Sequence, residues 1–325
     1  MAKKIFNSIF RTIMLLLVCL LAIGLLVSRP VFVKKIADET DAFVDVEDLK
    51  KHVRFLSETA LPRNSANPGN LKIVAEYIKA QFSLSTPNVR FQSYPVRDNE
   101  YQNVIANFGP DTKDIIIIGA HYDAFSTYPG ADDNASGVSG LIELGKLLSK
   151  IELKHRVVLV AYTLEEPPYF ATEKMGSFVH ASSLNNNVRL MISLEMIGYF
   201  SEVDSSQSFP VPLLSFFYPK QGSFIAVADS LMSNNAVGLK ASINRFTDLP
   251  AYSINAPRWV PGMDFSDHRS YWHFGYPAIM VTDTAFYRNK KYHEQEDTYD
   301  RLNYNSMAKV IYGVFKYIQI LDGEI

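Results

Sequence analysis

The chain has 325 residues, 47% hydrophobic and 20% charged, so it carries enough apolar material for a large core and is neither disordered nor a disulfide miniprotein. Lys plus Arg number 32 against 34 Asp plus Glu, a net charge of -2 with no basic stripe, which excludes a nucleic-acid partner. Cys19 is the only cysteine, so an intramolecular disulfide, a CxxC redox pair and a thiolate metal site are excluded, and chemistry must rest on oxygen and nitrogen.

Residues 1–11 form a short basic tail with Lys3, Lys4 and Arg11. Thr12–Ser28 is an uncharged run, TIMLLLVCLLAIGLLVS, predicted as a transmembrane anchor over 12–28; Ile5–Phe10 lengthen it if Arg11 snorkels. The alternative is a cleaved signal peptide, but Leu26 and Ser28 make a poor small-x-small site and Arg29-Pro30 is an awkward start for a mature chain. A lipoprotein reading is weaker still, because Val18 precedes Cys19 inside the apolar run. Basic residues stand on both flanks, so their count does not fix orientation. Residues 29–47 read as an acidic linker, a solvated spacer in which six acids and no base fall between Asp38 and Asp48.

Residues 48–325 read as one domain. Val46, Leu49, Val53 and Leu56, then Leu71, Val74, Ala75, Ile78 and Phe82, follow helical spacing behind caps at Asp45 and Asn70. From there the pattern alternates. Strand-like IIIIGAHYD after Asp114 is followed by helix-like ASGVSGLIELGKLLSK, then by the strands RVVLVAYT (156–163), RLMISL (189–194) and YPAIMVT (276–282). Strands this uniformly apolar are buried on both faces, so the expected fold class is α/β, a three-layer sandwich with a mostly parallel central sheet flanked by helices, plus the N-terminal helix. Residues 201–262, with FPVPLLSFFYPKQG, break the rhythm and read as an insert, either a cap over a site or an excursion with short strands. A last helix carries Met307, Val310, Ile311, Val314, Ile318 and Leu321 on one face, with Asn305 as its cap.

The polar exceptions sit where the apolar strands stop: His121 and Asp123, Glu165 and Glu166, Glu195, then Asp283 and His293. Ligands of open α/β sheets bind outside the carboxyl ends of the strands, so these groups converge on one crevice. In the Glu165-Glu166 pair neighbouring side chains diverge, so one can bind a metal while the other reaches water. His121-x-Asp123 fits an imidazole ligand backed by a carboxylate. GADDNASG (130–137) delivers Asp132 or Asp133 to the same place, with Asp133 or Asn134 also able to cap the following helix. Of the other histidines, His52, His155 and His180 read as surface or cap residues and His273 as core; His268 is a candidate near the site. HExxH and GxSxG are absent, against thermolysin-type proteases and serine hydrolases.

GAHYD (119–123), GADDNASG, Glu165-Glu166 followed by MGS (175–177), SLEMIG (193–198), FSDH (265–268) and YHEQEDTYD (292–300) together resemble the co-catalytic di-zinc aminopeptidases, relatives of glutamate carboxypeptidase and glutaminyl cyclase, over about residues 50–320. The resemblance implies two Zn2+ per chain bridged by Asp133, with His121 and Glu195 on one and Glu166 and His293 on the other. It implies Glu165 as general base, Asp123 behind His121, and a structural Asp132, since the family places an unusual peptide bond just before the bridging acid. This sequence departs from the family in carrying Glu195 where Asp is commoner, and in PPYFATEK (167–174), longer than the usual connection. The implied function is a membrane-anchored aminopeptidase acting on peptides, its catalytic domain outside the cytoplasm. The alternatives are a single-zinc glutaminyl cyclase and a non-catalytic binding ectodomain. The walls of the substrate pocket are expected from 201–262 and 167–174.

Overall fold

Four consecutive isoleucines, Ile115–Ile118, put apolar side chains on both faces of a strand, and such a strand needs a covering layer on each side. The computed structural model, which describes residues 2–323, has that arrangement. β1 (Val89–Val96), β2 (Asn99–Phe108), β3 (Asp114–His121), β4 (Arg156–Tyr162), β5 (Asn187–Leu194), β6 (Ile225–Ser230), β7 (Ala251–Ala256) and β8 (Ala278–Thr282) form one sheet in the order β1-β2-β4-β3-β5-β8-β6-β7. β4, β3, β5 and β8 are mutually parallel. The edges are mixed: β2 is antiparallel to β1 and β4, β6 is antiparallel to β8, and β7 is parallel to β6.

The helices are α1 (Ala2–Ser28), α2 (Thr40–Phe43), α3 (Val46–Arg54), α4 (Pro68–Ser83), α5 (Gly137–Leu148), α6 (Gly176–Ser182), α7 (Asn235–Phe246), α8 (His268–His273) and α9 (Tyr304–Asp322). Strand residues divide by parity between the two layers. Ile116, Ile118, Leu159 and Ile192 pack with α3, α4, α5, α7 and α9, whereas Ile115, Ile117, Val158 and Met191 pack with Ala181 of α6 and Tyr271 and Trp272 of α8. Residues 225–256 supply β6, α7 and β7, so this part of the break in rhythm is the excursion with short strands, built into the sheet.

Several local expectations change. Asp45 does cap α3, accepting the N–H groups of Glu47 and Asp48 at 2.9 and 3.2 Å. Asn70 does not cap α4, which opens at Pro68; its side chain donates to Pro62 O at 3.0 Å instead. The cap of α9 is Asn303, accepting Ser306 N–H at 3.0 Å, rather than Asn305. An apolar period marks a helix face, not its first turn. His52 and His180 are buried against the hydroxyls of Tyr77 and Tyr271, each at 2.6 Å, while His273 is exposed. The acidic stretch keeps Asp38, Glu39, Asp41, Asp45 and Glu47 exposed, but residues between them pack on the domain. Thr40 and Val44 are buried, Phe43 stacks on Tyr312 at 5.3 Å, and Ile36 N–H donates to Arg245 O at 2.9 Å.

Candidate metal centre

In a parallel sheet all carboxyl ends lie along one edge, so register alone brings distant residues together. Ala120 pairs with Ala161 and Gly119 with Ser193, which sets His121 at the end of β3 beside the turn after β4 and Glu195 after β5. His121 Nε2 lies 3.3 Å from Asp133 Oδ1 and 3.3 Å from Glu195 Oε2. His293 Nε2 lies 3.1 Å from Asp133 Oδ2 and 3.3 Å from Glu166 Oε1. The result is two groups of three donors that share Asp133, one of its oxygens in each.

Tetrahedral zinc with bonds of about 2.0 Å separates its ligands by about 3.3 Å, the spacing found here. Asp133 Oδ1, Glu166 Oε1 and His293 Nε2 are buried and have no hydrogen-bond partner. Orphaned buried groups are costly unless something satisfies them, and a cation does. Among the described residues the only ion-pair partners of Asp133, Glu165, Glu166 and Glu195 are His121 and His293. Nitrogen and carboxylate donors without a competing Lys or Arg therefore fit zinc.

Glu165 belongs to neither group, and its Oε2 is 3.9 Å from His121 Nε2. Burial raises its carboxyl well above the usual range, and the charges of Glu195 and Glu166 add to the rise against the opposing pull of His121. For Asp133 burial acts upward too, but His121 and His293 win and hold it below the carboxylate range. Burial would lower His293; Asp133 and Glu166 lift it to about 10.

His121 Nδ1 is 3.1 Å from the carbonyl oxygen of Asp123, closer than the 3.6 Å to its carboxylate. The backbone carbonyl thus accepts the Nδ1–H and leaves Nε2 to point at the donor groups. The carboxylate of Asp123 grips the turn after β4, accepting Glu165 N–H at 3.1 Å and Glu166 N–H at 3.0 Å. Asp132 faces away: Oδ1 accepts Gly198 N–H at 3.0 Å and Oδ2 accepts from Asn289 at 2.9 Å. The non-proline cis peptide is Asp133–Asn134, so it follows Asp133 rather than preceding it. Asp283 also stands apart, accepting from Tyr199 and Ala285 N–H. His268 is held by Met263 O at 2.9 Å and joins neither donor group.

Several residues that hold the site escaped the sequence reading. Asp297, inside YHEQEDTYD, accepts the N–H groups of Asp132 and Asp133 at 3.1 to 3.2 Å. Asn134 ties the same loop to β5, donating to Leu194 O at 2.8 Å and accepting Met196 N–H at 3.2 Å. Ser266 in FSDH donates to Glu195 Oε2 at 2.8 Å, which anchors the longer side chain. His293 is sandwiched between Phe125 at 4.0 Å and Tyr292 at 3.8 Å. Asp297 and Ser266 were signalled by their motifs. Arg63 was not: it is 0% exposed and donates to the carbonyls of Tyr122, Leu56, Pro129 and Gly130, bracing the loop that leads into Asp133. At Gly130, with φ 54°, a Cβ would lie 2.2 Å from Asp133 O, so only glycine fits.

An apolar cleft adjoins Glu195, walled by Phe209, Leu214, Tyr252, Met263, Phe286 and Tyr292. The part of its wall from Met263 onward was not foreseen, and residues 167–174 do not line it.

A match to peptidase family M28 spans residues 103–318. The uncharacterized protein YfbL of Escherichia coli (strain K12) is 51% identical over 277 residues, 82% of this chain and 86% of that protein. The probable aminopeptidase YDR415C of Saccharomyces cerevisiae is 29% identical over 237 residues, 66% of this chain; the match spans 56% of that longer protein. The solved zinc aminopeptidase of Bacillus subtilis superposes with a TM-score of 0.70 at 13% identity, covering 86% of this chain and 95% of that one, a likeness of fold.

Proposed function

The chain belongs to peptidase family M28, and from that premise we propose that this zinc metallopeptidase is a membrane-anchored aminopeptidase that removes N-terminal residues from peptides with two zinc ions. The observation that carries the reading is the pair of donor groups sharing Asp133. His121 and Glu195 would hold one ion, Glu166 and His293 the other, and Asp133 both. Bound there, zinc supplies Lewis acidity to the scissile carbonyl and lowers the pKa of water.

The chain's own residues do the rest. Glu165, outside both groups and raised by burial, takes the proton of the attacking water. The water oxygen bonds to the carbonyl carbon, the C–N bond breaks, and Glu165 returns the proton to the leaving amine. Asp123 keeps Glu165 and Glu166 on one rigid turn. The apolar cleft beside Glu195 receives the side chain of the N-terminal residue. A single-zinc cyclase has no use for a carboxylate whose two oxygens face two different histidines, which favours the peptidase.

Among the described residues one helix, Lys3–Ser28, is long and apolar enough to cross a membrane, by length and composition. We read it as an uncleaved anchor that follows a basic cytoplasmic tail, with residues 29–325 outside. Zinc analysis of the purified full chain, together with assay of peptides with free and acetylated N-termini, tests the catalytic reading. Two zinc ions per chain and hydrolysis of the free peptides alone are expected; one zinc at saturation with hydrolysis intact would overturn the two-metal assignment.

A further inference from the structure

The segment FPVPLLSFFYP, 209–219, has two apolar faces with different neighbours. Phe209, Pro210 and Leu214 line the cleft beside Glu195. Phe216 is 81% exposed, and Val211 and Leu213 are exposed with it. Phe217 lies against α1: a Cβ at Gly24 would come within 2.1 Å of its ring. Gly24 is buried in a helix that is otherwise mostly bare, and Leu20, Val27 and Ser28, on the same face, are also partly covered.

This contact fixes depth. Gly24 precedes Ser28, where the apolar run ends, by four residues, or about 6 Å along the helix. Phe217 therefore sits on the apolar side of the helix end, and the exposed Phe216 beside it has the same surroundings. The end of α1 is fixed to the domain as well. Lys240 Nζ donates to Ser28 O at 2.8 Å, Ser253 donates to the same carbonyl at 3.1 Å, and Arg29 donates to Leu231 O at 3.0 Å. Just past the helix, Phe32 is 98% exposed beside the exposed Lys34 and Lys35, the mixture an anionic lipid surface accepts.

We propose that residues 209–217 form a lip of the substrate cleft inserted into the outer leaflet of the bilayer, with Val211, Leu213 and Phe216 among the acyl chains and Phe209, Pro210 and Leu214 turned to the substrate. The proposal rests on the reading of α1 as a retained membrane span. Its consequence is a cleft wall set by lipid, presented to peptides whose N-termini lie at the membrane surface.

The test uses the full chain with Cys19→Ser, reconstituted in phosphatidylethanolamine and phosphatidylglycerol vesicles, with one nitroxide-labelled cysteine at a time: Leu213→Cys or Phe216→Cys in the lip, Leu16→Cys in mid-helix, and the exposed Leu84→Cys just after α4 as the water reference. Power saturation against oxygen and a nickel chelate reports lipid or water around each label. Labels at 213 and 216 should behave like the one at 16, protected from nickel and accessible to oxygen, and unlike the one at Leu84, the residue that follows α4. Adding Gly24→Leu, which displaces Phe217, should shift the lip labels towards nickel and leave the mid-helix label unchanged. Nickel accessibility at 213 and 216 with protection at 16 overturns the lip and leaves the anchor standing. Nickel accessibility at 16 as well, or an N-terminus found beyond residue 28 by sequencing, overturns both.

Discussion

Asp123 holds Glu166 by its backbone: Oδ2 accepts the Glu166 N–H at 3.0 Å, while Oδ1 takes the N–H of Glu165 at 3.1 Å. A carboxylate offers two acceptors and an amide one. Asp123→Asn should leave one buried N–H facing an NH2 group, at a cost of about 1–3 kcal/mol. Loosening the turn that carries both glutamates should lower kcat/KM about 10–100-fold. Urea unfolding and peptide kinetics check this; a variant unchanged in both would show that the turn holds without Asp123.

Glu165 and Glu166 differ in what they touch, so they should differ in what their loss removes. Glu165→Gln should reduce kcat by about 10²–10⁴ with zinc content unchanged. Glu166→Gln, which replaces a member of one donor group, should lose one zinc. Metal analysis beside kinetics separates the two outcomes, and the reverse pattern would exchange their roles.

Arg63 is the keystone of the loop before Asp133, with four backbone carbonyls as its acceptors. Arg63→Met leaves those carbonyls buried without a donor, and the loss of stability should reach about 3 kcal/mol or more. Arg63→Lys keeps the charge but cannot fork to four acceptors, so it should fall between wild type and Met. Urea midpoints give the ranking, and zinc affinity should fall in the same order because Asp133 follows the braced loop.

Burial pushes His180 down to about 3, with Arg90 adding to the shift, and His268 down to about 4 by burial against an opposing bond to Met263. An unfolded chain protonates both near about pH 6.5, so below that pH the unfolded state binds more protons. Stability should therefore fall as pH drops from about 6.5 towards 4 for His268 and 3 for His180, each contributing up to about 1.4 kcal/mol per pH unit. His180→Gln should remove its share of that slope, measured as the difference from wild type in urea unfolding at a series of pH values. Equal slopes would mean that His180 is protonated in the folded protein.

The sequence by itself determined the layered α/β architecture, because runs such as IIII and VVLVA can be buried only between two helical layers. It also determined which residues could carry the chemistry, because His121, Asp133, Glu165, Glu166, Glu195 and His293 lie in motifs whose polar members interrupt or end apolar runs. The tertiary structure decided what one-dimensional patterns do not encode. Arg63 braces residues 66 and 67 positions further along the chain, and its place has no period or motif around it. The β1–β2 hairpin, the built-in β6-α7-β7 segment and the first turns of α4 and α9 depend on pairing and capping partners supplied from elsewhere. The contact of Phe217 with Gly24 was likewise decided by the fold, since the place of a loop relative to a helix is a distance in space and not in sequence.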